Sequence, residues 1–201
     1  MLNSKRRQAM KRAAKRNKGR KKEIDLKKIF KGIGGWILVI LVAGTLGYSV
    51  AHFGVQTISI IGYSMNDVLD NGDEVIVNKA VYLFGKPERF DLVAFKQRKN
   101  DEYYNVKRVI GLPGENVKIL NGKILINDSK LSGVPFDDYI MTPGVAGDGV
   151  TLKENEYFLL GDNVNNSEDS RFSNVGNILK TEILGKVVYR MNPEEKKGKI
   201  E

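Results

Sequence analysis

The sequence predicts a mainly β protein, an antiparallel β-sheet domain preceded by a single N-terminal transmembrane helix. Two observations lead to this prediction. Short segments of strand composition recur at short intervals after residue 54, and turn residues separate them. Before them, residues 32–66 contain no Asp, Glu, Lys or Arg, and a bilayer-spanning helix needs about 20 consecutive apolar residues.

Charge is concentrated at the N-terminus of the 201-residue chain. Residues 1–31 carry fourteen Lys or Arg and two acids, hence +12, whereas the rest carries nineteen basic and twenty-two acidic groups, hence −3. A basic segment alone is typical of proteins that bind nucleic acid or a membrane surface. Because an apolar segment follows directly, we expect the lipid bilayer as partner and no nucleic acid.

The apolar segment at 32–53 is predicted to be an uncleaved transmembrane anchor. A removed signal peptide also pairs a basic start with an apolar run, but that run usually has about 7 to 15 residues and precedes a small-x-small cleavage site. Here the apolar run is longer, and no clear site follows. By the positive-inside rule, the basic tail at 1–31 is expected in the cytoplasm and the residues after the anchor outside the cell.

Seven segments after the anchor have strand composition. In order, they are residues 55–60, 73–83, 90–96, 103–110, 116–128, 156–163 and 182–191. Residues 97–102 are predicted to be a polar hairpin loop, and Asn121-Gly122 a two-residue type I′ turn. Residues 131–151 are rich in Gly, Pro and Asp and are expected to form an exposed insertion.

These segments predict the domain organisation. We expect a catalytic β domain from residues 54–115 and 152–191, with a small β cap at 116–151 inserted between them. Residues 192–201 are expected to be a polar C-terminal tail.

Scarcity of histidine and cysteine restricts the chemistry. The chain has no Cys and one His, His52, at the end of the predicted anchor. A cysteine–histidine protease is therefore excluded, and the usual zinc sites require several His or Cys ligands. A catalytic base in the exported domain must be Lys, Asp, Glu or Tyr, and we expect no cofactor and no metal.

Four stretches combine residues that could carry chemistry. They are "IGYSMNDVL" at 61–69, "GDEVIVNK" at 72–79, "YYNVKRVIGLPGE" at 103–115 and "GDNVNNSEDSRF" at 161–172. Each has an ordinary structural explanation, because a serine can belong to a turn, a strand lysine can face solvent, and Asp or Ser can cap a short helix.

Taken together and in order, the four stretches resemble the type I signal peptidases, serine–lysine membrane proteases that remove signal peptides. The family pattern is a membrane anchor followed by Gly-x-Ser-Met, Gly-Asp, Lys-Arg-x-x-Gly-x-Pro-Gly and Gly-Asp-Asn-x-x-x-Ser-x-Asp-Ser-Arg, and residues 33–191 contain all five in order. The resemblance implies a membrane-bound serine endopeptidase that acts on preprotein signal peptides without a cofactor.

The resemblance assigns Ser64 as the nucleophile and Lys107 as its general base. A serine hydroxyl needs a base within hydrogen-bond reach. A free lysine has a pKa of about 10.4, and burial in an apolar site lowers it. We therefore expect Lys107 in such a site, with Arg108 pointing away because side chains alternate along a strand.

Further roles follow from the same resemblance. Ser167 would hydrogen-bond to the Lys107 amine and orient it, and Asp169 and Arg171 would form an ion pair that fixes the surrounding loop. These three residues are therefore predicted to support the base.

The oxyanion hole would use the backbone N–H of Ser64. Where the family can have a hydroxyl two residues before the nucleophile, this chain has Gly62, so a second donor must come from elsewhere. Gly62 and Met65 are predicted to lie beside the oxyanion or the substrate.

One departure leaves an alternative open. Where the family pattern reads Ser-Met-x-Pro-Thr-Leu, this chain has Asp67 and Val68 in place of Pro and Thr. Proline stiffens a turn, and a carboxylate that reached Lys107 would favour its charged form. The alternative is a catalytically weak assembly factor or chaperone for pilus or surface proteins, with a translocase or surface-protein assembly machinery as possible partners. Ser64 and Lys107 are both present, which favours the enzyme.

Overall fold

The structure is a computed structural model that describes residues 10–11, 26–97, 100–136 and 139–200. Twelve strands are present among these residues. They are β1 (Val55–Ser59), β2 (Glu74–Asn78), β3 (Leu92–Gln97), β4 (Asn100–Gly111), β5 (Asn116–Leu120), β6 (Lys123–Ile126), β7 (Ser129–Lys130), β8 (Val150–Thr151), β9 (Glu156–Leu160), β10 (Ile178–Leu179), β11 (Ile183–Asn192) and β12 (Gly198–Lys199).

The strands form two antiparallel sheets. The large sheet has the order β1-β2-β11-β3-β4-β9-β10, with β12 paired to β11, and the small sheet has the order β7-β6-β5-β8. The predicted mainly β, antiparallel fold is thereby confirmed. The large sheet takes its strands from residues 55–111 and 156–199, and the small sheet from residues 116–151. The division into a catalytic domain and a cap stays a prediction.

Strand β4 lies in the interior of the large sheet, between β3 and β9. Its residues are paired with apolar residues of both neighbouring strands: Lys107 lies opposite Val93 of β3, and Val109 lies opposite Leu159 of β9. Val93, Val109 and Leu159 are fully buried in one apolar cluster. A side chain on this strand is therefore held by neighbours on two strands and by the core beneath them.

The small sheet is built around a tight hairpin. β5 and β6 pair so that Leu120 lies opposite Lys123, and the two residues between them have φ values of +49° at Asn121 and +70° at Gly122. A type I′ turn requires positive φ at both central residues, which Asn and Gly tolerate. The predicted two-residue hairpin is confirmed. Residues 98–99 of the other predicted hairpin loop lie outside the described residues.

The segment expected to be an exposed insertion is only partly exposed. Ile140 and Ala146 are buried, and they pack in one apolar cluster with Val117 of the small sheet and Phe158 of the large one. The expectation followed the Gly, Pro and Asp content of residues 131–151 and overlooked these apolar side chains. The segment folds back because burying them removes apolar surface from water.

The C-terminal residues, expected to be a polar tail, contain regular structure. A short 3-10 helix at Glu194–Lys196 leads to β12, and β12 pairs with β11 through Tyr189 opposite Lys199 and Arg190 opposite Gly198. The polar composition did not reveal this pairing, because backbone groups form it.

The chain divides into two compact units, Met1–Gly47 and Tyr48–Glu201. A 29-residue helix, Leu26–Gly54, includes large apolar side chains that are exposed. These are Trp36, Ile37, Leu38, Val39, Ile40, Leu41, Val42, Leu46 and Tyr48. Judged on the side chains that the structure describes, no helix is long and apolar enough to cross a membrane. Most of the predicted basic tail lies outside the described residues.

Candidate active site

Ser64 lies in the loop between β1 and β2, residues 60–73, which we call the serine loop. Met65 and Leu69 of this loop are buried in the apolar core, and the Leu69 N–H donates to the Met65 carbonyl at 2.7 Å. Ser64 itself is half-buried. Apolar side chains thus anchor the loop from below and leave the serine hydroxyl at the surface of the core. Met65, predicted to lie beside the substrate, packs its side chain into that core.

Gly62 gives the serine loop its path. Its φ is +97°, a conformation that glycine adopts and that most other residues avoid. The Gly62 N–H donates to the Asn71 side-chain oxygen at 2.9 Å, which ties the two sides of the loop together. The space beside its Cα is open, since an added Cβ would meet no heavy atom within 4 Å.

Lys107 is buried, with 3% of its surface exposed, and its amine donates a hydrogen bond to the Ser64 hydroxyl oxygen. Burial lowers the pKa of Lys107 from its usual value of 10.5 to about 8, because water no longer stabilises the charged amine. The Asp169 carboxylate opposes this change, and Arg171 reinforces it. A substantial fraction of the amine is therefore neutral near pH 8.

Arg108, the next residue, pairs with the Asp162 carboxylate. Its guanidinium forms two hydrogen bonds to the Asp162 carboxylate, at 2.8 and 2.6 Å, and a third to the Phe90 carbonyl at 2.8 Å. Arg108 and Asp162 are both buried. This buried ion pair joins β4 to the loop after β9, and removal of either partner would leave a buried charge unpaired.

The loop after β9, residues 161–171, which we call the GDN loop, is organised around one carboxylate. Asp169 is fully buried and accepts hydrogen bonds from the Ser167 hydroxyl at 2.7 Å and from the Gly161 N–H at 3.2 Å. Arg171 adds three more, from Nε at 2.8 Å, from Nη2 at 2.9 Å and from its backbone N–H at 3.3 Å. The Asp169–Arg171 ion pair predicted from the sequence is present.

Gly161 lets the two loops approach each other. A Cβ at this position would lie 2.3 Å from the Ser167 hydroxyl oxygen and 2.4 Å from the Ser64 carbonyl oxygen. The structure thus brings Ser64, Lys107 and Ser167 into one small region. Among the described hydrogen bonds, none joins Ser167 to Lys107, and the orienting role of Ser167 stays a prediction.

Sequence reasoning missed the contribution of Asn163. Its backbone N–H donates to the Ser64 carbonyl at 3.1 Å, and its side-chain amide donates to the Tyr63 carbonyl at 3.0 Å. Asn163 therefore holds the carbonyl groups of the two peptides that flank the Ser64 Cα. The Gly-Asp-Asn motif is a usable signal, but such a motif can equally form an ordinary Asx turn, and one hundred residues separate Asn163 from Tyr63.

Asp67, the departure from the family pattern, is an exposed turn residue. Its φ is +78°, which Asp tolerates better than most residues and which proline, fixed near −65°, cannot adopt. Its carboxylate is not among the charges that shift the pKa of Lys107. Residue 67 thus has a backbone conformation that proline would not allow, and its charge is not among those that act on Lys107.

Chemically, the site offers a hydroxyl beside an amine of lowered pKa. Among the described residues, no protein acceptor takes the Ser64 N–H, which is free to bind another oxygen. The Asp and Glu side chains that the structure describes form no cluster suited to a metal ion.

Comparison with known proteins places these features in context. The family model described as signal peptidase, peptidase S26, matches residues 33–192. Signal peptidase IB of Staphylococcus aureus (strain COL) is 35% identical, over 81% of this chain and 91% of that protein. Signal peptidase I of Leptolyngbya laminosa is 34% identical, over 78% and 81%. A crystal structure of a signal peptidase I from Enterococcus faecalis V583 has 32% identity and a TM-score of 0.41, covering 51% of this chain and 97% of that one.

Proposed function

The chain belongs to the signal peptidase family S26, and we propose that Ser64 and Lys107 are the nucleophile and base with which it works. The protein is a serine endopeptidase that cleaves signal peptides from exported preproteins. One observation carries the assignment of residues: the buried Lys107 amine, of lowered pKa, is hydrogen-bonded to the Ser64 hydroxyl.

The first half of the reaction forms an ester. With Lys107 neutral, its nitrogen has a lone pair and accepts the Ser64 proton while the serine oxygen attacks the scissile carbonyl carbon. The C–N bond then breaks, and the protonated Lys107 returns the proton to the departing amine. The mature protein leaves with a free N-terminus, and the signal peptide stays attached to Ser64 as an ester.

The second half repeats this chemistry with water. Lys107, neutral again, accepts a proton from a water molecule that attacks the ester carbonyl. The bond to Ser64 breaks, the serine oxygen recovers its proton from Lys107, and the signal peptide leaves with a carboxylate. In each half, Lys107 takes up one proton and returns it to the leaving group. A single base therefore suffices, and no histidine is needed.

The negative oxygen that develops in both halves requires a hydrogen-bond donor. The Ser64 N–H, which has no protein acceptor among the described residues, is our candidate. Asn163 supports this role because it holds the carbonyls of Tyr63 and Ser64 and thereby fixes the peptide that carries the N–H. Gly62 contributes no hydroxyl, and its own N–H is bound to Asn71.

The GDN loop supports the base in this proposal. Arg171 neutralises much of the Asp169 charge through two hydrogen bonds, and an unpaired carboxylate there would raise the pKa of Lys107 further. Ser167, fixed by its bond to Asp169, would turn its oxygen lone pairs to the amine during the reaction.

No observation on the described residues favours the non-catalytic alternative. It depended on the loss of proline and threonine at 67–68, and Asp67 is exposed and is not among the charges that act on Lys107. The hydrogen bond between Ser64 and Lys107 is intact.

A membrane location with the N-terminus in the cytoplasm is also part of the proposal. Support comes from the helix Leu26–Gly54, whose exposed side chains at 36–42 are all apolar, and from the fourteen basic residues at 1–31. Reporter fusions after Lys31 should report the cytoplasm, and fusions after Lys79 the outside of the cell. Both reporters on one side would refute the spanning topology.

Cleavage of a purified preprotein tests the assignment of the nucleophile. The full chain in detergent should release the mature product, and Ser64→Ala should not, because methyl cannot attack a carbonyl. Ser132→Ala, at an exposed position outside the site, is the matched control and should cleave normally. Wild-type rates from Ser64→Ala would overturn the proposal.

A further inference from the structure

The segment at residues 139–145, which we call the brace segment, runs beside the GDN loop. Asn165 binds it with both ends of its side-chain amide: the oxygen accepts the Met141 N–H at 3.0 Å, and the nitrogen donates to the Tyr139 carbonyl at 2.9 Å. One side chain thus satisfies two backbone groups, as a neighbouring strand would do. This fixes the start of the brace segment against the GDN loop.

The end of the brace segment is bound to Arg171. The Val145 N–H donates to the Arg171 carbonyl at 2.9 Å, and Arg171 Nη1 donates to the Thr142 carbonyl at 3.1 Å. Between them, Gly144 has a φ of +55°, and a Cβ there would lie 2.2 Å from the Arg171 carbonyl oxygen. The two backbones pack so closely that glycine is required at this position.

The brace segment is itself fixed by the small sheet. The Ile140 N–H donates to the Gly122 carbonyl in the β5–β6 turn at 3.2 Å, and the Ile140 side chain is buried. The small sheet, the brace segment and the GDN loop therefore form a continuous chain of contacts that ends at Arg171.

Arg171 connects this chain of contacts to the reacting groups. It binds the Asp169 carboxylate, and four charged groups act on Lys107: Asp169, Asp162 and Glu168 raise its pKa, whereas Arg171 lowers it. Among these charges, Asp169 has the largest effect on Lys107 and Arg171 the next largest, ahead of Asp162, which forms its own ion pair with Arg108. A shift of Arg171 relative to Asp169 would therefore change the electrostatic potential at Lys107.

We propose that the brace segment is a positioning element of the reaction, which holds Arg171 and the GDN loop in the arrangement that the Ser64–Lys107 pair requires. The small sheet acquires a role in catalysis through this contact, although it carries no reacting group. The inference rests on the proposed function, because it takes Lys107 to be the base.

Two glycine substitutions test the inference. Gly144→Ala should push the brace segment away from Arg171, and Gly133→Ala is the matched control. Gly133 also has a positive φ, +70°, but a Cβ added there would lie 3.9 Å from the nearest atom. Both variants carry similar backbone strain, so a difference between them reports the contact with Arg171.

We expect kcat of Gly144→Ala to fall by about tenfold or more relative to Gly133→Ala, the effect of losing one hydrogen bond that positions the site. The midpoint of its pH–rate profile should also move to higher pH, because Asp169 would act on Lys107 with less compensation from Arg171. Equal kcat values and equal midpoints for the two variants would overturn the inference.

A second pair keeps the test decisive if Gly144→Ala does not fold. Asn165→Ala removes both bonds to Tyr139 and Met141 at an exposed position, and Asn116→Ala removes a 3.0 Å bond to Thr151 within the small sheet. Asn165→Ala should lower kcat by several-fold and raise the pH midpoint, whereas Asn116→Ala should do neither. Identical profiles would contradict the inference.

Failure of the proposed function would be distinguishable. If Ser64→Ala or Lys107→Arg cleaved normally, the serine–lysine mechanism would be wrong. If those variants were inactive and the brace variants matched their controls, the mechanism would stand and the brace would have no role.

Discussion

The proposed base and the proposed nucleophile occupy opposite kinds of structure. Lys107 lies on an interior strand of the large sheet, opposite Val93 on one neighbouring strand and 3% exposed. Ser64 lies in a loop, half-buried and held by hydrogen bonds from Asn163. A base must be kept from water to lose its proton, whereas a nucleophile must be reached by a polypeptide. The fold meets both needs because it buries Lys107 in the sheet and leaves Ser64 half-buried in a loop beside it.

The difference extends to how each group is fixed. The position of Lys107 follows from strand pairing and from the ion pair that Arg108, the next residue on β4, forms with Asp162 of the GDN loop. The position of Ser64 depends on contacts with a distant part of the chain, at Gly161 and Asn163. We therefore expect substitutions at the base to act through its protonation, and substitutions around the nucleophile to act through geometry.

The largest expected effect comes from a change at the base that keeps its charge. Lys107→Arg should lower the cleavage rate by about three orders of magnitude, because the arginine pKa lies well above that of lysine and its side chain cannot accept the serine proton. Lys118→Arg, on a strand of the small sheet, is the matched control and should cleave normally. Near-normal cleavage by Lys107→Arg, measured with a purified preprotein, would show that Lys107 is an ordinary strand lysine.

A smaller loss should follow from displacing the nucleophile. Gly161→Ala places a Cβ within 2.4 Å of both the Ser64 carbonyl and the Ser167 hydroxyl, so one loop must move. A misplacement of about 1 Å can reduce the rate by about a hundredfold. The pH midpoint should change little, since the burial of Lys107 is retained. The control is Gly198→Ala, which has open space at its Cα, and equal rates for the two variants would contradict the account.

The third prediction concerns stability. Since the pKa of Lys107 is about 8 in the folded protein and 10.5 ordinarily, the unfolded chain binds more protons between these pH values. Stability is therefore lost as the pH falls from 10.5 to 8, and the full cost, about 3 kcal/mol, is present below pH 8. Lys107→Met does not carry this cost.

Denaturant unfolding of the two proteins in detergent measures the effect. Lys107→Met should be more stable than wild type at pH 7 by up to about 3 kcal/mol, with the difference vanishing above pH 10.5. A difference that does not depend on pH would contradict the burial of an ionisable base. Lys118→Met, which alters a lysine of the small sheet, should show no such trend.

The sequence predicts the main chain better than the site. Alternation in β2, where Val75 and Val77 are buried, and the turn at Asn121-Gly122 are local patterns, and both appear in the structure. The folding back of Ile140 was not predictable in this way. Its burial depends on the Gly122 carbonyl and on apolar neighbours that come from both sheets.

Within the site, the sequence motifs predicted which residue types are present. They did not predict the contacts between the serine loop and the GDN loop. Ser64, Lys107 and the Asp169–Arg171 ion pair stand inside recognisable motifs, and the ion pair joins residues two positions apart. The bonds of Asn163 to the serine loop connect residues about one hundred positions apart. Such contacts depend on the order of all the strands of the large sheet between β1 and β9, which a single sequence does not specify.

The pH dependence of kcat/KM for a preprotein tests the central claim, that a buried and neutral Lys107 is the base. This quantity reports the pKa of the essential base in the free enzyme. Activity should rise with pH as the amine loses its proton, with a midpoint at about 8. A midpoint near 10.5, the usual value for a solvated lysine, or a rate independent of pH between 6 and 10, would contradict the account.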